Sequence, residues 1–244
     1  LSIVRGSNLQ SSIQGLSFDV EYKDECGHVA IGLIGRFNAS NLLAVLSTLL
    51  AKGIKFADAV NAIQQVKPIT GRMEKYGGGE LPYVIVDYAH TPEALSKVLV
   101  TLREIIKHSL EETQSRNNKA KLLCVFGCGG ERDQAKRKLS GEIATRLADE
   151  VIITNDNPRQ ESPQQIIDQI VAGAHEGASF RIEADRAAAI RKAIDSAGKG
   201  DIVLIAGKGH EDYQEINGKK IPFSDAKIAQ QALFELAAKE VERL

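Results

Sequence analysis

The octapeptide Thr154-Asn155-Asp156-Asn157-Pro158-Arg159-Gln160-Glu161 places a carboxylate, an amide and a guanidinium within four residues of one another. Such a set can receive a small molecule with charged ends, because charge-assisted hydrogen bonds are the strong ones. An apolar run, Val151-Ile152-Ile153, precedes it and reads as a buried strand. Ser162-Pro163-Gln164-Gln165 follows, with Ser at an N-cap and Pro at the first helical position. Asp156, Asn157, Pro158 and Arg159 therefore sit on a loop leaving a strand end, the edge where open parallel sheets bind ligands. A turn chosen only for its backbone angles has a similar composition, so the neighbouring loops must decide.

Three other loops carry reactive residue types. In Asp87-Tyr88-Ala89-His90-Thr91-Pro92, Thr91 caps and Pro92 starts a helix, which leaves Asp87 and His90 at the strand edge. They could serve a ribose, base or phosphate, or equally be local capping partners. Gly127-Cys128-Gly129-Gly130-Glu131-Arg132-Asp133 combines glycines that admit a close ligand with the planar fork of Arg132. Its spacing does not meet the dinucleotide fingerprint, and Cys128, with no neighbouring histidine, reads as a small packing residue. Ala206-Gly207-Lys208-Gly209-His210-Glu211-Asp212 suggests a phosphate loop superficially, but Ile202 and Gly209 stand where Gly and Ser or Thr are required. Glu211 is expected to face the same site as the arginines. Two arginines, an amide and an acid suit an amino acid, its carboxylate on Arg132 and Arg159 and its ammonium on Glu211.

The elements that must position these loops form an α/β pattern. Apolar runs at 83–86, 122–126, 151–153, 180–182 and 202–205 alternate with helical patterns at 92–109, 133–148, 163–174 and 185–196, and a last helix is expected over about 225–242. Alternation of this kind implies a mostly parallel sheet with helices on both faces. Upstream, residues 1–35 alternate polar and apolar residues around glycines and read as strands and hairpins. Asn38-Ala39-Ser40-Asn41 should open a helix over Leu42–Leu50 closed by Gly53, and a second helix carries Phe56, Ala59, Val60 and Ile63. A domain boundary is placed near residue 70, giving domains 1–70 and 71–244. Gly77-Gly78-Gly79 reads as a hairpin turn, and 110–120 as a polar surface connection.

Composition excludes several classes. The 244 residues carry a net charge of −1 with mixed signs and no basic stripe, which argues against nucleic acid. No apolar stretch approaches membrane-spanning length, and three cysteines with no metal-ligand pairing beyond the C-x3-C of Cys124 and Cys128 fit reduced thiols in the cytosol. The chain starts at Leu1 and its one methionine is Met73, which suggests a piece of a longer protein.

The runs Gly71-Arg72-Met73-Glu74, Val86 to Pro92, Phe126 to Gly130, Asp156-Asn157-Pro158-Arg159 and Gly207 to Tyr213, in this order, resemble the Mur ligases, and specifically their diaminopimelate-adding branch. That family has a nucleotide-sugar domain, a central ATPase and a C-terminal Rossmann-like domain. The resemblance implies that residues 1–70 are the back half of the ATPase domain and 71–244 the C-terminal, amino-acid-binding domain. The family's phosphate loop and carbamylated lysine would lie upstream, so catalytic residues and metal ligands are not expected in this chain. The implied reaction is ATP- and Mg²⁺-dependent amide formation in peptidoglycan synthesis: a D-glutamyl carboxylate of UDP-MurNAc-L-Ala-D-Glu is phosphorylated, and an incoming amine displaces phosphate. By the same resemblance Arg132, Asp156, Asn157, Pro158, Arg159, Gly207 and Glu211 would bind meso-diaminopimelate. Asn38, Arg72, Asp87 and His90 would supply part of the ATP site. Arg159 would select diaminopimelate over lysine, since lysine leaves a buried guanidinium unpaired. A monomer acting on small molecules is expected, and this chain alone should be inactive.

Rival readings are a nucleotide-dependent oxidoreductase, a non-catalytic amino-acid-binding module, and another Mur-type ligase, lysine-adding or like folylpolyglutamate synthase. The first requires a glycine-rich loop at the first strand, where this chain has Asp87-Tyr88-Ala89-His90.

Overall fold

A computed structural model describes residues 3–112 and 120–241. The chain opens with an antiparallel meander of β1 (Val4–Ser12), β2 (Gly15–Tyr22) and β3 (Glu25–Ile31). Period-2 patterning sends Leu16, Phe18, Val20, Val29 and Ile31 to one face, where they pack on α1 (Arg36–Ala51) and α2 (Phe56–Gln64). Phe56, Ala59, Val60 and Ile63 supply the α2 side of that cluster, as their spacing predicts. Helix α1 begins earlier than expected. Gly35, at φ +97°, turns the chain in a conformation costly for other residues, so the helix starts at Arg36. Asn38 is thus inside the helix and donates its side-chain amide to Ile34 O (2.9 Å).

The second sheet contains β4 (Glu74–Gly77), β5 (Tyr83–Asp87), β6 (Leu122–Phe126), β7 (Glu150–Ile153), β8 (Phe180–Ile182) and β9 (Ile202–Ala206) in the order β4-β5-β9-β6-β7-β8. Every pairing is parallel except β4 with β5, which turn through Gly77-Gly78-Gly79, all at positive φ. Strands β6 and β9 are buried along their whole length, which is why they read as unbroken apolar runs.

Helices α3 (Pro92–Glu112), α4 (Ala135–Leu147) and α5 (Pro163–Val171) cover one face, burying Leu99, Leu102, Ala144 and Ile170 among others. Helices α6 (Arg186–Ser196) and α7 (Asp225–Val241) cover the other with Ala189, Ile190, Ile194 and Leu233. The predicted doubly covered, mostly parallel sheet is what forms. Adjacent strands β6 and β9 feed helices on opposite faces, α4 and α7, and this divergence opens a crevice beyond their carboxyl ends.

Two features differ from the sequence reading. A hairpin of β10 (Tyr213–Ile216) and β11 (Lys219–Pro222) follows the loop at 206–212; its partly or fully exposed residues give no apolar run to detect. Of the connection at 110–120, α3 takes up the start as far as Glu112, and 113–119 lie outside the described residues. The meander meets the larger sheet through Lys75, whose ammonium donates to Ile13 O (3.1 Å) and Gln14 Oε1 (2.8 Å). Among the described residues no helix is long and apolar enough to cross a membrane.

Candidate functional site

The crevice holds a cavity of about 490 Å³. Arg132, Asp156, Asn157, Arg159, Gly207 and Glu211 all line it, as does His90. Its shape depends on tight backbone approaches. A Cβ on Gly130 would lie 1.9 Å from Pro158 O and one on Gly127 2.2 Å from Thr154 O, so only glycine lets the loops after β6 and β7 nest. The Gly130 N–H then donates to Asn157 O (2.8 Å).

Arg159 lies at φ +53°, held by the backbone of the β10–β11 hairpin: its N–H donates to Glu215 O (3.0 Å) and its carbonyl accepts from Asn217 N (2.8 Å). The side chain is four-fifths buried, with Nη1 donating to Gly130 O (2.7 Å) and Nε 3.4 Å from Glu215 Oε2. Nη2 makes no hydrogen bond among the described residues. Across Gly129 stands Arg132, exposed at the rim and without an ion-pair partner among the described residues. A Cβ on Gly129 would lie 3.0 Å from Arg159 Nη1 and 3.6 Å from Arg132 Cγ, so the two side chains flank a single glycine.

Opposite them is an acidic group that the sequence reading describes incompletely. Glu211 is not a free carboxylate. Its Oε2 accepts from the Asn157 amide and from Lys208 Nζ, each at 2.9 Å. Burial pushes the Glu211 carboxyl up, but the bonds from Lys208 and Asn157 outweigh it and hold the carboxyl below its usual range. Asp156, 3.4 Å from Lys208 Nζ, is pushed up by burial against the pull of Arg186 and Lys208. Arg186 sits behind it, fully buried, forked onto Asp225 (both contacts 2.8 Å) and donating to Ala206 O (3.0 Å) and Asn155 O (3.4 Å). It thereby ties the end of β9 to the loop after β7.

Pro158 does not line the cavity; its carbonyl accepts from Glu161 N (3.0 Å) and shapes the turn. Glu161 is forked by buried Arg137 (2.8 and 2.9 Å), which also donates to Gly129 O (3.1 Å). That contact, with the bond from the Glu131 N–H, holds the Glu161 carboxyl down at about 2. Cys128 lines the cavity, and burial pushes its thiol up to about 12, far from a nucleophilic thiolate.

The four residues expected to serve ATP do not converge on this cavity. Asn38 lies on α1. Asp87 is buried with its carboxylate occupied by the backbone N–H groups of Met73 and Ala89 (2.8 Å each), so it acts here as a local clamp; burial pushes its carboxyl up despite those bonds. Arg72 stacks over the Tyr88 ring at 4.6 Å, and the His90 and His210 rings lie 4.5 and 5.2 Å from the same ring. Only His90 of the four borders the cavity, beside Tyr88. Lys208, Arg137, Arg186 and Glu215 escape a sequence reading because each partner is remote in sequence or was assigned another role. A lysine between two glycines after a strand was the one available signal.

A family model, Mur ligase, glutamate ligase domain, matches residues 71–209, more than half of the chain. The chain is 55% identical over 240 residues to the UDP-N-acetylmuramoyl-L-alanyl-D-glutamate--2,6-diaminopimelate ligase of Nitrosomonas europaea, covering 98% of this chain and 46% of that protein. The like-named ligase of Chromobacterium violaceum is 47% identical over 230 residues, 94% of this chain and 44% of the relative. A solved structure of a UDP-N-acetylmuramoyl-L-alanyl-D-glutamate--2,6-diaminopimelate ligase superposes with a TM-score of 0.68 at 36% identity, over 97% of this chain and 46% of the other. The chain spans about half the length of the curated relatives it matches. On the strength of the family match over residues 71–209, the chain belongs to the Mur ligase family.

Proposed function

We propose that this chain is the amino-acid-receiving part of an ATP-dependent ligase that adds meso-diaminopimelate to UDP-MurNAc-L-Ala-D-Glu in peptidoglycan synthesis. The observation that carries the reading is the pairing of Arg132 and Arg159 across Gly129, facing Asp156, Asn157 and Glu211 in one cavity. A substrate carboxylate takes the free Arg159 Nη2 and the Arg132 fork, and its ammonium takes the acidic group. Gly207, at φ +119°, presents backbone to the cavity beside Asp156.

Selectivity needs a different physical basis from an unpaired arginine. Glu215 already accompanies Arg159, so lysine would not leave that guanidinium without a counter-charge. Lysine carries only hydrogen where diaminopimelate has its second carboxylate, so the two guanidinium groups and the neighbouring ammonium would face one another with no anion between them. Like-charge juxtaposition and the lost charge-assisted bonds both disfavour it.

Residues 1–70 are the back half of the ATP-binding domain and 71–244 the amino-acid-binding domain in this proposal. Arg72 and His90, bracketing Tyr88, contribute to the nucleotide side, with Asp87 fixing the Met73 backbone beside them. Asn38 contributes from α1. ATP supplies the phosphoryl group that activates the glutamyl carboxylate, and Mg²⁺ accompanies it. Among the described residues no group of three His, Cys, Asp or Glu side chains is placed to hold a metal. The protein acts as a cytoplasmic monomer on small molecules. The test is ATP-dependent amide formation by the protein extended to the length of its relatives: turnover with meso-diaminopimelate and little with lysine is expected, and equal turnover would contradict the assignment.

A further inference from the structure

We infer that Lys208 is a positioning residue of the amino-acid receptor, fixing the Asn157 amide and the Glu211 carboxylate for a substrate ammonium, and not a phosphate-binding lysine. The inference rests on the reading of the cavity as an amino-acid receptor. Flanking Gly207 and Gly209 suggest an anion loop, yet the Lys208 side chain is fully buried. An ammonium has three protons to donate, and three acceptors surround this one: Asn157 Oδ1 and Glu211 Oε2 at 2.9 Å and Asp156 Oδ1 at 3.4 Å. Nothing is left to offer an external phosphate. The Tyr213 ring, 5.5 Å from Nζ, adds a further favourable contact for the cation.

The arrangement determines which way the amide faces. Asn157 Oδ1 accepts from Lys208 and from the Glu215 N–H (3.0 Å), so Nδ2 must point to Glu211. The opposite flip would aim an NH₂ group at an ammonium and a backbone N–H. With the amide set, Glu211 Oε2 is fully used and Oε1 is left for a ligand. A receptor ordered beforehand loses less entropy on binding.

Calorimetric titration of meso-diaminopimelate into the wild-type chain, Lys208→Met, Asn157→Ala and the double variant tests this. Each single change should weaken binding about tenfold or more. The double variant should be no weaker than the weaker single, because both remove the same arrangement. Unchanged affinity in Lys208→Met, or losses that simply multiply in the double variant, would overturn the inference. Should Lys208→Met fail to fold by circular dichroism, the side-chain amide protons of Asn157 in the wild type decide. They should exchange slowly before ligand is added, and an amide that becomes protected only with ligand would overturn the inference. A wild-type chain that binds no meso-diaminopimelate would remove the receptor reading, and this inference with it.

Discussion

The floor and the rim of the cavity use the same residue types to opposite ends. On the floor Lys208, Asn157 and Glu211 engage one another, and beneath it Arg137 and Arg186 are each forked onto a carboxylate. At the rim Arg132 is exposed and unpaired among the described residues, and Arg159 keeps Nη2 free. An arginine at the floor is therefore framework, and one at the rim is a binding group. The difference lies in partners, not in residue type: the Nη groups of Arg137 are taken by Glu161, Gln169 and Gly129 O, which leaves only its buried Nε without a partner among the described residues.

The largest effect should come from breaking the framework. Arg186→Met leaves Asp225 buried without its partner and should cost about 3–5 kcal/mol of stability, read by chemical denaturation. A loss under about 1 kcal/mol would show that the floor is not held by this pair. Next, Arg159→Ala should cost about 2–5 kcal/mol in binding of meso-diaminopimelate by calorimetry while leaving the fold intact. Equal losses in stability and binding would place Arg159 with the framework.

A smaller effect concerns pH. Glu161 has a carboxyl lowered from about 4.5 to about 2 in the folded chain. A depressed acid contributes stability that is present above the unfolded value and is lost as pH falls towards the folded one. Glu161→Gln should therefore flatten the fall in stability between pH 4.5 and 2, measured as denaturation midpoints across that window. An unchanged slope would contradict the Arg137 bond as its cause. The smallest effect is expected at the exposed rim. Arg132→Ala should change stability by no more than about 0.5 kcal/mol and should weaken diaminopimelate binding less than Arg159→Ala does.

Local patterns were readable in advance, and long-range pairings were not. Strands β6 and β9 are buried on both faces, so their sequences are apolar without interruption and their loops can be located. Thr91 and Pro92 announce α3, and the Thr91 hydroxyl does accept from Ala94 N (3.2 Å). By contrast, Arg137 meets Glu161 and Arg186 meets Asp225 across 24 and 39 residues, a distance over which spacing carries no signal. Lys208 has no legible role for a related reason: the phosphate-loop pattern fails around it, and two of its three acceptors, Asp156 and Asn157, lie 52 and 51 residues away. The start of α1 was misplaced because one glycine at positive φ outweighed a polar cluster that looked like a cap.

The central claim is that two rim guanidinium groups and an acidic floor together recognise an amino acid bearing a second carboxylate. Calorimetric titration of the chain with meso-diaminopimelate and, in parallel, with L-lysine tests it most directly. The account predicts a saturable isotherm for meso-diaminopimelate and affinity for lysine weaker by at least about a hundredfold. Equal affinity for the two would contradict it.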